Sequence, residues 1–213
     1  MGGFYPVRNN IPLFAVWVIT WNNSRGLFRS PREFLTGFYM PKMLKNNFFN
    51  KPTLEVARNL LGKILVRKYR GKLIKGAVTE TEAYFGHNDR ASHASRGRTK
   101  RNKVMFNDAG RIYVYLIYGM HYCLNIVTEK KEFPAAVLIR GVKVGNLNLA
   151  GPGKVTKYFH IDKALNKKPL GQISGLWIEE GIGAKKLKIK SGPRIGVDYA
   201  GPWADRLWRF YLT

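Results

Sequence analysis

The sequence predicts an α+β fold: one compact domain with a mainly β core and short flanking helices. Three observations carry this. Segments rich in β-branched and aromatic residues recur at 111–116, 121–128 and 135–140, and again at 185–190 and 208–212. Helical spacing is confined to short stretches. Strands and helices do not alternate regularly, as a parallel βαβ array would require. No internal repeat is present.

Residues 1–45 read differently from the rest. Arg8, Arg25, Arg29, Arg32, Lys42 and Lys45 face a single acid, Glu33, around an apolar run at 11–21. That run is shorter than the ~20 residues a spanning helix needs, and no clear small-residue cleavage site follows it. A transmembrane anchor is therefore not expected. Two readings fit the extension: translation beginning at Met40 or Met43, which is preferred, or an organellar or secretory targeting segment. Neither gives it a catalytic role, and the domain is expected over 46–213.

Within the domain, Thr53 is suited to N-cap a helix with apolar positions Leu54, Ala57, Leu60 and Leu61, and Gly62 to stop it. Strands are expected at 63–70 and 73–84, joined at Arg70-Gly71-Lys72, so that Glu82 lands near a strand end. The polar, basic stretch 86–110 reads as a long functional loop. Short helices are expected after Gly151-Pro152-Gly153 and around 176–181.

Charge bounds the function. The 213 residues carry 37 Lys+Arg against 13 Asp+Glu, a formal +24. The natural partner of such a field is a polyanion, because each neutralised phosphate releases condensed counterions. Nucleic acid leads; a ribosomal or peripheral membrane protein is the alternative that charge alone leaves open. The single cysteine, Cys123, excludes an internal disulfide framework and a Cys-based zinc site. His87, His93, His121 and His160 lack the paired spacing of a helical zinc motif.

Glycosidic-bond hydrolysis needs a carboxylate that activates or orients water, and Glu80 and Glu82 alternate onto one strand face. An isolated Glu-Thr-Glu is more often a pair of solvated strand acids, so context decides. Downstream lie Arg90, Arg96, Arg98, Lys100, Arg101 and Lys103, opposed between 86 and 103 only by Asp89. Such a cluster neutralises successive phosphates, and alone it indicates binding rather than catalysis. Tyr113, Tyr115, Tyr118 and Tyr122 supply aromatic faces for an extruded base and a wedge for its vacated place, or they pack in the core. Tyr118, in the break Tyr118-Gly119-Met120, is the best wedge candidate.

The chain resembles the alkyladenine (3-methyladenine) DNA glycosylase family, in the form shared by vertebrates and many bacteria. The resemblance rests on Glu80-Thr81-Glu82-Ala83-Tyr84, Ala91-Ser92-His93, Arg101-Asn102-Lys103-Val104-Met105-Phe106, the run from Tyr113 to Met120, and Cys123-Leu124-Asn125. It continues through Val137-Leu138-Ile139-Arg140, Gly151-Pro152-Gly153-Lys154 and a tail from Pro193-Arg194-Ile195-Gly196-Val197 to Arg209-Phe210-Tyr211. It covers residue 53 to the end.

The resemblance implies a mainly antiparallel, curved β core and a monofunctional glycosylase that flips alkylated or deaminated purines from duplex DNA. It implies that Glu82 activates the hydrolytic water, with Arg140 and nearby backbone helping to hold it. Tyr84 and Tyr115 would stack on the flipped base, with Leu138 in the same substrate-binding set. His93 would hydrogen-bond the base or its backbone, and Asn125 would crowd the exocyclic amine of guanine. Tyr118 would intercalate, and Arg98, Arg101 and Met105 would contact DNA. No metal or organic cofactor is implied, and no lysine stands where a Schiff base would need one. The expected partner is double-stranded DNA bearing damaged purines, bound by a monomer that is cytoplasmic in a bacterium and nuclear or organellar in a eukaryote. The loop at 98–101 is one residue shorter than in animal members, Arg90 adds charge near His93, and the N-terminal extension has no counterpart. A noncatalytic nucleic-acid-binding protein and a degenerate family member acting on RNA are the competing readings.

Overall fold

The computed structural model describes residues 42–213. The readings of the N-terminal extension therefore lie outside the described residues, except for its last four. Those four already belong to the domain: the Leu44 amide donates to Ile178 O, the Glu180 amide to Lys42 O, and Leu44 is buried.

Helices α1 (Asn46–Phe49) and α2 (Thr53–Asn59) open the fold. Pro52, not Thr53, occupies the N-cap of α2, and Thr53 is its first helical residue. The reason is a distant acceptor: Glu129 Oε1 takes both the Thr53 amide (2.7 Å) and its hydroxyl (2.9 Å), satisfying the orphan donors that a capping side chain would otherwise meet.

Strands β1 (Ile64–Tyr69) and β2 (Lys72–Phe85) form a hairpin through Arg70 and Gly71, both at positive φ, the twist that a two-residue hairpin loop requires. The stretch 86–110 contains two 3₁₀ turns, His93–Arg96 and Lys103–Phe106. Then come β3 (Ile112–Ile117), β4 (His121–Val127), β5 (Ala135–Val144), β6 (Leu147–Ala150) and helix α3 (Pro152–Tyr158). The chain ends with β7 (Leu176–Glu179), β8 (Ile189–Gly192) and β9 (Arg209–Leu212).

Two expectations are corrected. The helix expected around 176–181 is strand β7, whose residues are all buried and which pairs along the open edge of β1. The strand expected at 185–190 begins only at Ile189, because Ala184–Lys186 forms a 3₁₀ turn.

The nine strands of the described residues pair antiparallel in one sheet, in the order β3-β4-β5-β2-β1-β7, with β6 beside β5 and β8–β9 attached to β2. Directly opposed residues share a face, so register divides the central strands in two. One face carries Val114, Leu124, Ile126, Val137, Ile139 and Ala83, and packs with α2 and α3 into the main core through Val56, Ala57, Leu60, Val155 and Phe159. The other face is more polar and carries the candidate site.

Candidate active site

A row crosses that second face from strand to strand: Tyr113 opposes Asn125, Asn125 opposes Leu138, and Leu138 opposes Glu82. Rows one side-chain repeat away flank it on either side: Tyr115 opposes Cys123 on one, and on the other Tyr84 opposes Ala136, which opposes Val127. Seven of these side chains line a cavity of about 500 Å³, within the size range of small-ligand sites; Glu82 is fully buried behind that lining, in contact with Tyr84, Arg140 and the Ile195 amide. The alternation of β strands therefore sets Glu82 on the same face as Tyr84, Tyr113, Tyr115, Asn125 and Leu138, the last five of which line one space.

Arg140 reaches the same place through an irregularity. Pairing steps from Val78↔Val142 to Glu80↔Gly141 and then to Thr81↔Ile139, so Thr79 and Arg140 are both left out of register. Bulges re-aim side chains; here Arg140 Nε lies 3.2 Å from Glu80 Oε1 and 3.4 Å from Glu82 Oε1. Arg209 Nη1 meets Glu80 Oε1 at 3.0 Å from β9.

Glu82 is fully buried. Its Oε1 accepts the Ile195 amide at 2.8 Å and its Oε2 accepts the Tyr84 hydroxyl at 2.7 Å. Burial pushes its carboxyl above the ordinary glutamate range, with Glu80 adding to the rise, against the pull of Arg140, the Ile195 amide and Tyr84. Burial likewise raises the phenols of Tyr84 and Tyr115, keeping both neutral.

His93 stands on the rim of the first 3₁₀ turn, where Ser92 caps the Ala94 amide and Asn102 Nδ2 donates to the His93 carbonyl at 2.8 Å. Its Nδ1 is 2.8 Å from the Tyr113 hydroxyl, and its ring meets Tyr115 edge-on at 4.6 Å. Burial, with Arg101 and Arg96 nearby, lowers its pKa to about 4, so the ring is neutral near pH 7. Asn125 donates to the Tyr113 and Cys123 carbonyls, at 3.3 and 3.4 Å. Burial pushes the Cys123 thiol up to about 11.

Tyr118 is 84% exposed at the mouth, in the β3–β4 turn, with φ +50 followed by Gly119 at +67. Arg101 lines the same mouth, its guanidinium 5.2 Å from the Tyr115 ring centroid and bonded to Leu116 O at 3.1 Å. Met105 lies deeper: it is 2% exposed and lines the cavity from within the small cluster around Tyr113. Arg98 lies apart from the cavity, paired with Glu132 at 2.7 Å and set over the Phe106 ring. Among the described residues, no three of His, Cys, Asp and Glu gather as a metal-binding group.

The model of the methylpurine-DNA glycosylase family matches residues 47–213. The chain belongs to that family. It is 48% identical over 185 residues to a protein of Methanocella arvoryzae, covering 79% of this chain and 92% of the relative. A Legionella pneumophila protein is 45% identical over 80% of this chain and 94% of its own length, and a Rickettsia peacockii protein 48% over 80% and 90%. All three carry the provisional name 3-methyladenine DNA glycosylase.

In this member of the family the far wall of the cavity comes from residues to which the sequence reading gave no role: Ile195 and Val197, within the tail block of the resemblance, and Tyr199. Asp89 read as one acid among many cations, yet it is fully buried and paired with Arg194. The signal available was the lone acid itself, since a single carboxylate in a basic loop marks a place where one cation is held inside rather than displayed.

Proposed function

We propose that the protein excises damaged purines from duplex DNA, hydrolysing the N-glycosidic bond and leaving an abasic site. The observation that carries this reading is the fully buried Glu82 carboxylate, held directly behind the Tyr84, Arg140 and Ile195 lining of an aromatic cavity whose mouth bears the exposed Tyr118. No base inside a duplex can reach such a group, so the nucleotide must leave the stack. Tyr118 is placed to fill the space it vacates.

Inside, the neutral aromatic faces of Tyr84 and Tyr115 favour a flat, electron-poor ring, and a cationic N3- or N7-alkylated purine gains most from them. Such a base is already a good leaving group. Hypoxanthine and ethenoadenine depend more on hydrogen bonding as the bond breaks, for which neutral His93 offers a ring nitrogen. Glu82, held by two hydrogen-bond donors and the Arg140 ion pair, orients and deprotonates the water that captures the oxocarbenium-like sugar. Asn125, beside Leu138 on the floor, limits room for the exocyclic amine of guanine.

The test is single-turnover base release from duplexes carrying one hypoxanthine or ethenoadenine and from methylated DNA, with alkaline cleavage of abasic product. Release by the wild type and its loss in Glu82→Gln is the expected result. Tight lesion binding without release from any substrate would overturn it in favour of a noncatalytic binding protein.

A further inference from the structure

We propose that Asp89 and Arg194 are positioning residues of excision: their buried ion pair fixes the Ile195 amide against Glu82 and the Tyr84 ring against the base. Neither residue touches the reacting atoms. The inference rests on the excision reading and adds the element that sets its geometry.

The pair is built for rigidity. Arg194 Nη1 meets Asp89 Oδ2 at 2.7 Å and Nη2 meets Oδ1 at 2.9 Å, a two-pronged contact with both side chains fully buried. The same guanidinium donates to Ala83 O and Trp203 O, each at 3.0 Å, tying β2 to the C-terminal segment. Its plane lies between the Tyr84 ring at 4.7 Å and the Trp208 ring at 4.9 Å. Among the described residues, its Nε has no hydrogen-bond partner. Asp89 in turn accepts the Phe85 and Ala91 amides, at 3.3 and 3.1 Å, and so holds the start of the loop that carries His93. Paired guanidinium and carboxylate forks constrain orientation as well as distance.

Arg194 immediately precedes Ile195, whose amide donates to Glu82 Oε1. A fixed Arg194 therefore fixes a donor to the carboxylate. The other groups facing Glu82 come from different elements: Glu80 and Tyr84 on its own strand, Arg140 on β5, and Tyr115 and Cys123 on β3 and β4. Arg209, on β9, acts on Glu80. Of these only Tyr84 touches the Asp89–Arg194 fork, so loosening the fork changes the Ile195 amide and the seat of Tyr84 and leaves the rest.

Arg194→Lys keeps the positive charge and removes the fork. Expected are a cooperative melt, lesion-duplex affinity near wild type, a single-turnover release rate reduced by about 10- to 100-fold, and an acidic limb of the pH–rate profile moved to higher pH. A purely structural role lowers the melting temperature and the active fraction, but leaves the rate constant and the limb unmoved. If Arg194→Lys does not fold, Asp89→Asn combined with Arg194→Gln removes both charges together and is read in the same way. Release by wild type at the same rate and with the same limb as the folded variant would overturn the inference alone. No release by wild type would overturn the excision reading beneath it.

Discussion

Tyr84 and Glu82 stand two residues apart on one face of β2, and the tyrosine hydroxyl donates to Glu82 Oε2 at 2.7 Å. One strand thus supplies both a wall of the cavity and the carboxylate, joined by a hydrogen bond that favours the ionised carboxylate. Burial works in the other direction. The ionised fraction of Glu82 at neutral pH is set by that contest, in which each donor counts.

Tyr84→Phe keeps the ring and removes one donor. The Glu82 carboxyl then moves further above its ordinary range, and the acidic limb of base release shifts to higher pH. On the acidic limb release is expected to fall by up to roughly tenfold, the equivalent of about 1.4 kcal/mol for one hydrogen bond to a charged group. At alkaline pH it approaches wild type. A rate lowered equally at every pH would instead place the loss in base stacking.

Glu82→Gln is expected to cost about 10²–10⁴-fold in release, the worth of a general base. The same change carries a stability prediction. A carboxyl whose folded pKa is raised binds its proton more tightly in the fold, so it favours folding below its unfolded value, near 4.5, and that contribution is lost as pH rises through the folded value. The variant should therefore melt higher than wild type at neutral pH, with the difference closing towards pH 4. Melting temperatures across that range decide it.

His93 has the opposite sign. Its folded pKa is lowered from 6.5 to about 4, so the neutral ring contributes stability above pH 6.5 that is lost progressively as pH falls towards 4. The loss is on the order of 3 kcal/mol at most. Urea denaturation at pH 7 and pH 5 should show wild type losing more stability than His93→Gln over that interval. Equal losses would mean that the ring is solvated and charged.

Much of this was legible in the residues. Alternation in Tyr113-Val114-Tyr115 and Thr81-Glu82-Ala83-Tyr84 announces strands with two unlike faces, and the β-rich core followed from it. What alternation does not contain is register between strands. That Glu82, Leu138, Asn125 and Tyr113 form one row depends on pairings between distant segments. The double irregularity that brings Arg140 to Glu82 depends on the same pairings. Strand β7 was hidden for a related reason: its Leu-Trp-Ile-Glu run is too short for either period, and only the free edge of β1 makes it a strand. The α2 cap was hidden because its acceptor, Glu129, lies 76 residues away.

Tyr118 occupies a left-handed conformation, with φ +50, and is 84% exposed. A bulky residue there is strained, and glycine adopts that conformation without penalty. Tyr118→Gly should therefore leave the melting temperature unchanged or slightly raised, within about 1 kcal/mol, while weakening capture of lesion duplexes. Stability retained with affinity lost identifies a residue kept at this position for what it does to DNA. Loss of both would place it in the packing of the turn.

Arg101 and Arg98 look interchangeable as loop cations, but their surroundings separate them. Arg98 is already paired with Glu132 at 2.7 Å on the surface, so a phosphate would have to compete with that carboxylate. Arg101 stands at the mouth over Tyr115, with a backbone carbonyl as its hydrogen-bond acceptor. Neutralising a phosphate releases about 0.9 counterion on B-form DNA. Arg101→Ala should therefore lower the slope of log affinity against log salt by nearly one unit, and Arg98→Ala by much less. Glu132→Ala supplies the decisive comparison: freeing Arg98 should raise affinity and steepen the slope if Arg98 lies within reach of the duplex. An unchanged slope would leave Arg98 outside the interface and Arg101 as the loop's principal phosphate contact.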